Sequence, residues 1–445
     1  MNITDKFINN IEELARKPIP DRVLERAKQS LLDYLAVCSA GDKANEYKLK
    51  EYFDFAQPEE GQSTLIGMKK KVGLKEAAFL NGLNGHTLDF DDGTNTGIIH
   101  LGSPIFSVLL PLAEKYHHSL DKVLRAAVIG YETSFTMAVS IQPLHKSLGY
   151  HATGTCGILG IAIAGSFLLD FTSEERRRAF DIAAISASGM LKVLDGKSQL
   201  KPLNVAKTSL LGLTALQLAK AGFEGNEDSL GGRGFIKMMT GKEDIELEQP
   251  LLNGTYAIEK TYTKPYAACR YTHPSIEAAL NLRNKFNIND ISEITVETYD
   301  LAVAGHDHTD ILGSSSAKMS IPYSVAVALI EGKAGLIEYD EEHVSRQDII
   351  NLTKKVTVKA KKEYSDVFPV KQAACLTIGL TNGAIYKHEV DYPKGEPENP
   401  LNEKEFVERL QGLYEFAGYS ASDVTSIINF VANLNNDTYN LCQLV

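Results

Sequence analysis

The sequence has no closely spaced cysteine pairs and no excess of positive charge. Its 445 residues include five cysteines, which are odd in number and far apart, and it carries a formal net charge of -11. Without a CxxC pair we expect neither a disulfide framework nor a thiolate zinc site, and a reducing compartment is the simplest reading. An acidic chain also lacks the basic surface that nucleic acid or an anionic membrane requires. Neither is expected as a partner, and an anionic substrate would need cations gathered at its site.

A targeting segment and long apolar runs are also lacking. The first twenty residues contain acidic side chains and no apolar core, unlike a secretory signal or a transit peptide. The apolar runs 126–130 and 158–169 are too short or too rich in small residues to span a bilayer, which takes about 20 residues. These patterns predict a cytoplasmic protein without a membrane span.

The periodicity of the chain changes near residue 262. Residues 4–254 repeat a helical pattern, and several of the expected helices are apolar on all sides, as in the interior of a bundle. Beyond them, 291–299 and 356–360 alternate apolar and polar side chains, and 375–388 forms two strand-like runs around Asn382-Gly383, a strong hairpin signal. The predicted fold is mostly α with a smaller α+β domain.

The last segment of the chain is expected to return to the helices. Residues 391–400 are rich in proline and glycine, and Asn402 with Glu405 resembles a capping box that begins a helix over 403–417. The sequence therefore predicts a large all-helical domain of residues 1–260 and 395–445. Residues 261–394 are predicted to form an α+β lid domain.

The densest polar cluster of the apolar half lies in residues 86–104. Rigidly held loops are where catalytic groups collect, and this one contains His86, Asp89, Asp91, Asp92 and His100. Turn and capping roles explain the aspartates about equally well. A calcium loop is excluded, because a histidine stands where the bidentate glutamate belongs. A metal-dependent hydrolase stays open, with no recognisable ligand spacing among His86, Asp89, Asp92 and His100.

A second cluster is GYHATGTCG, residues 149–157, in which His151 precedes a helix of small residues. Backbone N–H groups at such a helix start can bind an anion. The glycine spacing is not that of a dinucleotide-binding loop and does not follow a strand. Helix packing explains the glycines, but it does not explain the histidine.

Cations gather in two later segments. A polar turn between two apolar helices offers Lys197, Lys201 and Asn204, although lysines in such turns usually face solvent. The expected domain junction, where clefts usually lie, gathers Lys264, Arg270 and His273.

The segment SAKMSIPYS places Tyr323 just after a proline at a helix start. A tyrosine in such a place is more often a core residue with one hydrogen bond than a functional group.

In this order, these segments resemble the MmgE/PrpD superfamily, which includes 2-methylcitrate dehydratases, cis-aconitate decarboxylases and iminodisuccinate epimerases. The matching segments span nearly the whole chain and read NGLNGHTLDFDD, HLGSP, GYHATGTCG, LKPLN, GGRGF, KPYAACRYTHPSIEAA, SIPYSVAVAL and DYPKGEPENPL. The resemblance implies a large helical domain, a smaller α+β lid and a homodimer. It also implies a site between the domains that uses no metal and no organic cofactor.

The resemblance also implies roles for single residues. The family's active-site aspartate falls on Asp89, its loop histidine on His100, its lysines on Lys201 and Lys264, and its lid tyrosine on Tyr323.

The chain departs from the decarboxylase pattern at two places. The threonine that follows the DD pair in decarboxylases matches Gly93, with Thr94 one place later. The histidine five residues after the lid lysine is Cys269 in this chain.

All reactions of the family transfer a proton at a carbon next to a carboxylate, where negative charge develops. Cations would meet that charge, in contacts sheltered from water. We expect His100 and His151 as the acid/base pair, because only an unperturbed histidine titrates near neutral pH. Lys201 is the rival base, Asp89 would orient an imidazole, and Tyr323 would donate to the substrate. The substrate-binding residues are predicted to be Lys264, Arg270, His273, Thr94, His86 and Asn204.

The predicted function is that of a cofactor-independent lyase acting on a small anionic polycarboxylate. Dehydration, as in 2-methylcitrate dehydratases, and decarboxylation, as in cis-aconitate decarboxylases, are the two main readings. An epimerase, in which base and acid act on opposite faces of one carbon, is the alternative within the family. A non-catalytic helical binding protein is the alternative from another class.

Overall fold

A computed structural model describes residues 1–194 and 198–445 of the chain. Over these residues the protein is mostly helical, with one two-stranded and one four-stranded sheet. The predicted fold class, mostly α with a smaller α+β portion, is therefore confirmed. Lys197 lies outside the described residues.

The first part of the chain forms a bundle of helices. Its helices are α1 (Ile3–Ala15), α2 (Asp21–Ala56), α3 (Leu74–Thr87), α4 (Gly102–Tyr116), α5 (Leu120–Ile141), α6 (Leu144–Ser147), α7 (Ala152–Thr155), α8 (Gly157–Leu168), α9 (Ser173–Ser186), α10 (Leu203–Lys220) and α11 (Phe235–Thr240). An antiparallel hairpin of β1 (Ser63–Leu65) and β2 (Lys70–Val72) joins α2 to α3. Because α8 is almost entirely apolar, it lies in the interior, against α4, α5, α9 and α10.

Residues 262–390, called the sheet-bearing part below, contain the four-stranded sheet. Its strands are β3 (Ile291–Thr298), β4 (Val356–Ala360), β5 (Ala374–Leu380) and β6 (Ile385–Val390), in the order β4-β3-β5-β6. Strand β3 runs parallel to β4 and antiparallel to β5, and β5 and β6 form the hairpin predicted at Asn382-Gly383. Gly383 adopts a φ of +86°, a conformation that favours glycine.

Helices cover the sheet and connect its strands. They are α12 (His273–Leu282), α13 (Asp300–Val303), α14 (Ser314–Lys318), α15 (Ile321–Glu331), α16 (Glu341–Val344), α17 (Gln347–Thr353) and α18 (Lys362–Val367). Helix α12 packs on β5 and β6, and α15 packs on α12 and β4. The apolar faces of strands and helices therefore share one core.

The end of the chain packs back on the first helices. Its helices are α19 (Glu403–Phe416), α20 (Ala421–Ala432) and α21 (Thr438–Leu441). Asn402 and Glu405 form the predicted capping box, with bonds of 3.0 and 2.8 Å. Helices α19 and α20 contact α2, and α21 contacts α4. The domain boundaries near residues 260 and 394 stay a prediction.

Helix α2 is longer than the sequence pattern indicates. The apolar stripe ends near residue 39, yet the helix continues through Gly41 to Ala56. A Cβ on Gly41 would overlap the carbonyl oxygen of Asn84, so glycine here permits close packing on α3 and does not end the helix. None of the described helices is long and apolar enough to cross a membrane.

Close packing of α5 on α8 also depends on glycine. A Cβ on Gly160 would overlap Ser134 Oγ and lie 2.6 Å from the carbonyl oxygen of Gly130. Gly412, on the exposed side of α19, has no described heavy atom within 4 Å of its Cβ position.

We expect Gly160→Ala to lower the free energy of unfolding by about 1–3 kcal/mol, because the helices must separate to admit the methyl group. The matched control Gly412→Ala should raise it by up to about 1 kcal/mol, because alanine loses less backbone entropy on folding. Urea unfolding of both variants measures the difference. Equal effects of the two substitutions would contradict this account of the α5–α8 contact.

Candidate active site

A cavity of about 770 Å³ lies between the helices and the sheet-bearing part. Both portions of the chain line it, as expected for a small-molecule site at a junction. Of the predicted site residues, the structure brings together here Asp89, Thr94, His100, His151, Lys201, Lys264 and Arg270. A second cavity of about 720 Å³ adjoins the first, and Asp89 and Lys201 line both.

Asp89 is the centre of the charged cluster. It follows the end of α3 with a φ of +52°, a left-handed conformation that aspartate tolerates better than most residues. Its Oδ1 accepts hydrogen bonds from Lys201 Nζ at 2.7 Å and Lys264 Nζ at 2.9 Å. Burial would raise the pKa of Asp89, but the two ammonium groups hold it well below its ordinary value. Asp89 is therefore a buried, ionised anchor for two lysines.

Both lysines are held in place as cations. Burial disfavours a charged Lys201, but its contact with Asp89 raises the pKa of this lysine above its usual value. Lys264 also donates to the backbone carbonyl of Asp89 at 2.6 Å. The rival assignment of Lys201 as general base requires a lowered pKa, and the structure does not support it. Both ammonium groups are instead suited to bind carboxylates.

A hydrogen bond from Nδ1 orients the ring of His100. Its Nδ1 lies 2.8 Å from the carbonyl oxygen of Asp92, which can only accept, so Nδ1 carries the proton. In the neutral ring Nε2 then has a free lone pair, and it lies 3.8 Å from Asp89 Oδ1. The backbone N–H of His100 donates to Thr153 Oγ1 and fixes the loop. This geometry suits a general base.

His151 has the opposite tautomer. Its Nδ1 accepts a hydrogen bond from Asn204 Nδ2 at 3.1 Å, so the proton of the neutral ring is on Nε2. Burial, together with the neighbouring His86 and Lys201, lowers the pKa of His151 well below its ordinary value. His151 is thus a neutral hydrogen-bond donor. Asn204 was predicted to bind substrate, but it is buried and contacts His151, so it orients the ring.

His86 lies behind the other two histidines, at centroid distances of 4.7 Å from His100 and 5.8 Å from His151. Its Nδ1 donates to Asp91 at 2.9 Å, and burial lowers its pKa to about 4. Its side chain lines the second cavity and not the first. His86, predicted to bind substrate, therefore does not line the main cavity.

The metal set considered from sequence is not assembled. Asp92 accepts from the Gly102 N–H and the Tyr131 hydroxyl, both at 2.8 Å, and it lines neither cavity. Within the described residues, the ligand group close enough to hold an ion consists of His86, Asp91 and His100. The Nδ1 atoms of both histidines already donate hydrogen bonds, so a metal here would be bound through their Nε2 atoms or would have to replace those bonds.

Two other predictions need correction. Tyr323 is fully buried outside both cavities, and its hydroxyl donates to the carbonyl of Glu338 at 2.8 Å, so it is a core residue. His273 is also fully buried and accepts from Arg270 Nη1 at 2.7 Å. Arg270 forms an ion pair with Glu396, which already neutralises its charge. His273 therefore positions this arginine and does not bind substrate from the cavity.

The cavity contains residues that the sequence pattern did not single out. Lys146 donates to the hydroxyl of Tyr271 at 2.6 Å, and burial lowers its pKa to about 8. Lys318 lines the second cavity, donates to the Leu88 carbonyl and has its pKa lowered to about 8 by burial. Lys318 stands in the segment SAKMSIPYS, which was considered for Tyr323, and could have been found there. No sequence signal marks Lys146.

The family models match both halves of the chain. Residues 5–248 match the MmgE/PrpD N-terminal domain, and residues 266–436 match the MmgE/PrpD C-terminal domain. The chain belongs to the MmgE/PrpD family. The resemblance stated from the sequence motifs is therefore confirmed.

Curated relatives resemble the chain over most of its length. A cis-aconitate decarboxylase of Aspergillus terreus is 27% identical over 436 residues, covering 90% of this chain and 87% of that protein. The cis-aconitate decarboxylase of Mus musculus is 23% identical, over 92% of this chain and 86% of the relative. The cis-aconitate decarboxylase of Homo sapiens is also 23% identical, over 98% of this chain and 92% of the relative.

The buried neutral His86 should make stability depend on pH. Because its pKa is lowered from 6.5 to about 4 in the folded chain, unfolding takes up a proton between these values, and its stabilising contribution is lost as pH falls. Between pH 6.5 and 5 the free energy of unfolding should fall less steeply with falling pH in His86→Asn than in the parent protein. The expected difference in slope is about 1 kcal/mol per pH unit.

Urea unfolding at several pH values measures this slope. His117→Asn, which changes an exposed histidine at the left-handed end of α4, controls for the substitution itself. A variant with the same slope as the parent protein would show that His86 is protonated in the fold.

Proposed function

We propose that this protein is a lyase of the MmgE/PrpD type, which transfers a proton at a carbon next to a carboxylate of a small polycarboxylate. The observation that carries the proposal is the placement of two paired lysines beside the free Nε2 of His100 in one cavity. Its family and its relatives, named cis-aconitate decarboxylases, support an enzyme of the lyase type.

Substrate carboxylates would bind at the lysines. An ammonium group has three N–H donors. Within the part of the chain that the structure describes, the side chain of Lys201 donates one hydrogen bond, to Asp89, which leaves two donors for a carboxylate. Lys264 supplies a second positive charge, bound to the same oxygen of Asp89. Charge-assisted bonds here would offset the overall negative charge of the protein.

The proton carrier of a dehydration would be His100. In a dehydration, its Nε2 takes a proton from carbon, and the resulting imidazolium returns one to the leaving hydroxyl. In a decarboxylation, the C–C bond to one carboxylate breaks, the electron pair spreads into a neighbouring carboxylate next to the lysines, and carbon then receives a proton. A neutral His151 would donate a hydrogen bond to the developing negative charge and need not ionise.

Decarboxylation is the first reaction to test, because the named relatives carry that activity in their names. Dehydration of 2-methylcitrate and epimerisation of iminodisuccinate are the other two reactions to assay. A homodimer and a cytoplasmic location also stay proposals, made from the family resemblance and from the sequence pattern.

With 2-methylcitrate as substrate, we expect His100→Asn to lower kcat by about 10²–10⁴-fold with little change in KM, since it removes the base that takes the proton from carbon. The asparagine amide can still donate to the Asp92 carbonyl, which preserves the loop. Lys201→Met should mainly raise KM, because it removes a carboxylate ligand. The absorbance of the unsaturated product measures turnover, and His117→Asn is the control.

A His100→Asn variant with unchanged kcat would exclude the proposed base. A polycarboxylate that raises the melting temperature by mass action, without turnover of any substrate, would favour the binding-protein reading. Inversion at carbon without a new double bond or carbon dioxide would favour the epimerase.

We expect activity to survive chelation, because the proposed chemistry uses only side chains of this chain. Dialysis against EDTA, followed by the cis-aconitate assay, should leave kcat within error of the untreated enzyme. Loss of activity that a divalent cation restores would instead assign His86, Asp91 and His100 as metal ligands.

A further inference from the structure

The sheet-bearing part contributes a cysteine and a histidine to the same cavity. Cys269 Sγ lies 3.5 Å from His306 Nε2, and both residues line the cavity wall. His306 Nδ1 lies 3.0 Å from the carbonyl oxygen of Ala304. Because a carbonyl can only accept, Nδ1 carries the proton and Nε2 has the lone pair. The thiol of Cys269 therefore donates to Nε2, the arrangement that activates a cysteine.

The backbone and its surroundings hold this pair in place. The N–H of Cys269 donates to the Lys318 carbonyl at 2.9 Å, and its own carbonyl accepts from Thr272 Oγ1 at 2.9 Å. The His306 ring lies edge-on against Tyr271, with centroids 5.2 Å apart. Both side chains are therefore held by their surroundings, and packing sets the distance between Cys269 Sγ and His306 Nε2.

The groups that face the thiol are the imidazole of His306, the carboxylate of Asp89 and the ammonium groups of Lys201 and Lys146. Burial and Asp89 disfavour the thiolate, whereas His306 and Lys201 favour it. The net effect lowers the pKa of Cys269 to about 7. A thiol of this kind can give up and regain a proton near neutral pH.

The other cysteines have a different environment. Cys38, Cys156, Cys375 and Cys442 are buried, whereas Cys269 is partly exposed. Burial raises the pKa of Cys156 to about 12 and also raises that of Cys38 and Cys442. Native-state reactivity should therefore single out Cys269.

We propose that Cys269, activated by His306, is the proton donor to carbon when the proposed lyase reaction is a decarboxylation. After the C–C bond breaks, the carbon bears an electron pair. The electron pair on carbon then takes the thiol proton of Cys269 and forms the new C–H bond. The bonding pair of the broken S–H bond stays on sulfur, as a thiolate beside Lys201. The thiolate then regains a proton from water through Nε2 of His306. His100 and Cys269 would thus handle protons on walls formed by different parts of the chain.

The first experiment tests the pair without any substrate. Iodoacetamide is applied to the native enzyme across a pH series, and the alkylated peptides are identified by mass. We expect selective alkylation of Cys269 with a midpoint near pH 7, and a rate at pH 7 reduced about tenfold or more in His306→Asn. Cys269→Ser should abolish the reaction and Cys375→Ser should leave it unchanged. Equal labelling of a buried cysteine, or an unchanged profile in folded His306→Asn, would overturn the pair.

The second experiment tests its role in turnover. Cys269→Ala and His306→Asn should each lower kcat by about 10²-fold or more with KM little changed, and the kcat–pH profile should lose its limb near pH 7. Cys375→Ser, which changes a buried cysteine of β5 away from the cavity, should retain full kcat. A fully active Cys269→Ala variant would overturn the proton role.

The role of Cys269 rests on the proposed lyase function. The two experiments together distinguish a failure of the lyase proposal from a failure of the Cys269 proposal. Selective labelling in an enzyme that turns over no polycarboxylate would reject the lyase and the proton role, and leave the reactive pair. Turnover without selective labelling would retain the lyase and reject Cys269 as its donor.

Discussion

The buried carboxylate of Asp89 is the contact on which the site depends. It is 4% exposed, and it binds a lysine from the turn before α10 and another from the start of the sheet-bearing part. Two ammonium groups this close would repel each other in a region shielded from water, and a lone buried carboxylate would also be strongly unfavourable. Together the three charges compensate one another. Removing the carboxylate would leave the two lysines without a common partner.

A second buried ion pair supports this cluster from behind. Arg409 of α19 donates to the backbone carbonyls of Lys264 and Phe90, at 2.6 and 2.8 Å, and pairs with Asp33 of α2. One side chain near the end of the chain therefore fixes the backbone on both sides of the Asp89 cluster. Asn95 makes a comparable link, since it donates to Glu396, the ion-pair partner of Arg270.

Backbone carbonyls decide how each histidine of the cavity can act. The carbonyl of Asp92 fixes the proton of His100 on Nδ1, and that of Ala304 does the same for His306. Asn204, a donor, fixes the proton of His151 on the other nitrogen. One histidine can therefore accept a proton from substrate, one can donate a hydrogen bond to it, and one can accept the proton of a thiol.

The sequence by itself determined the family, the fold class and the main elements. Period-two patterns and Asn382-Gly383 located the strands of the sheet, and the motif order gave Asp89, His100, Lys201 and Lys264, because these signals are local. The tertiary structure decided what each polar residue contacts. In it Tyr323 lies in the core, His273 and Asn204 position neighbouring side chains, and Cys269 contacts His306. Such pairings join residues far apart in the chain through packing and burial, which periodicity and spacing do not encode.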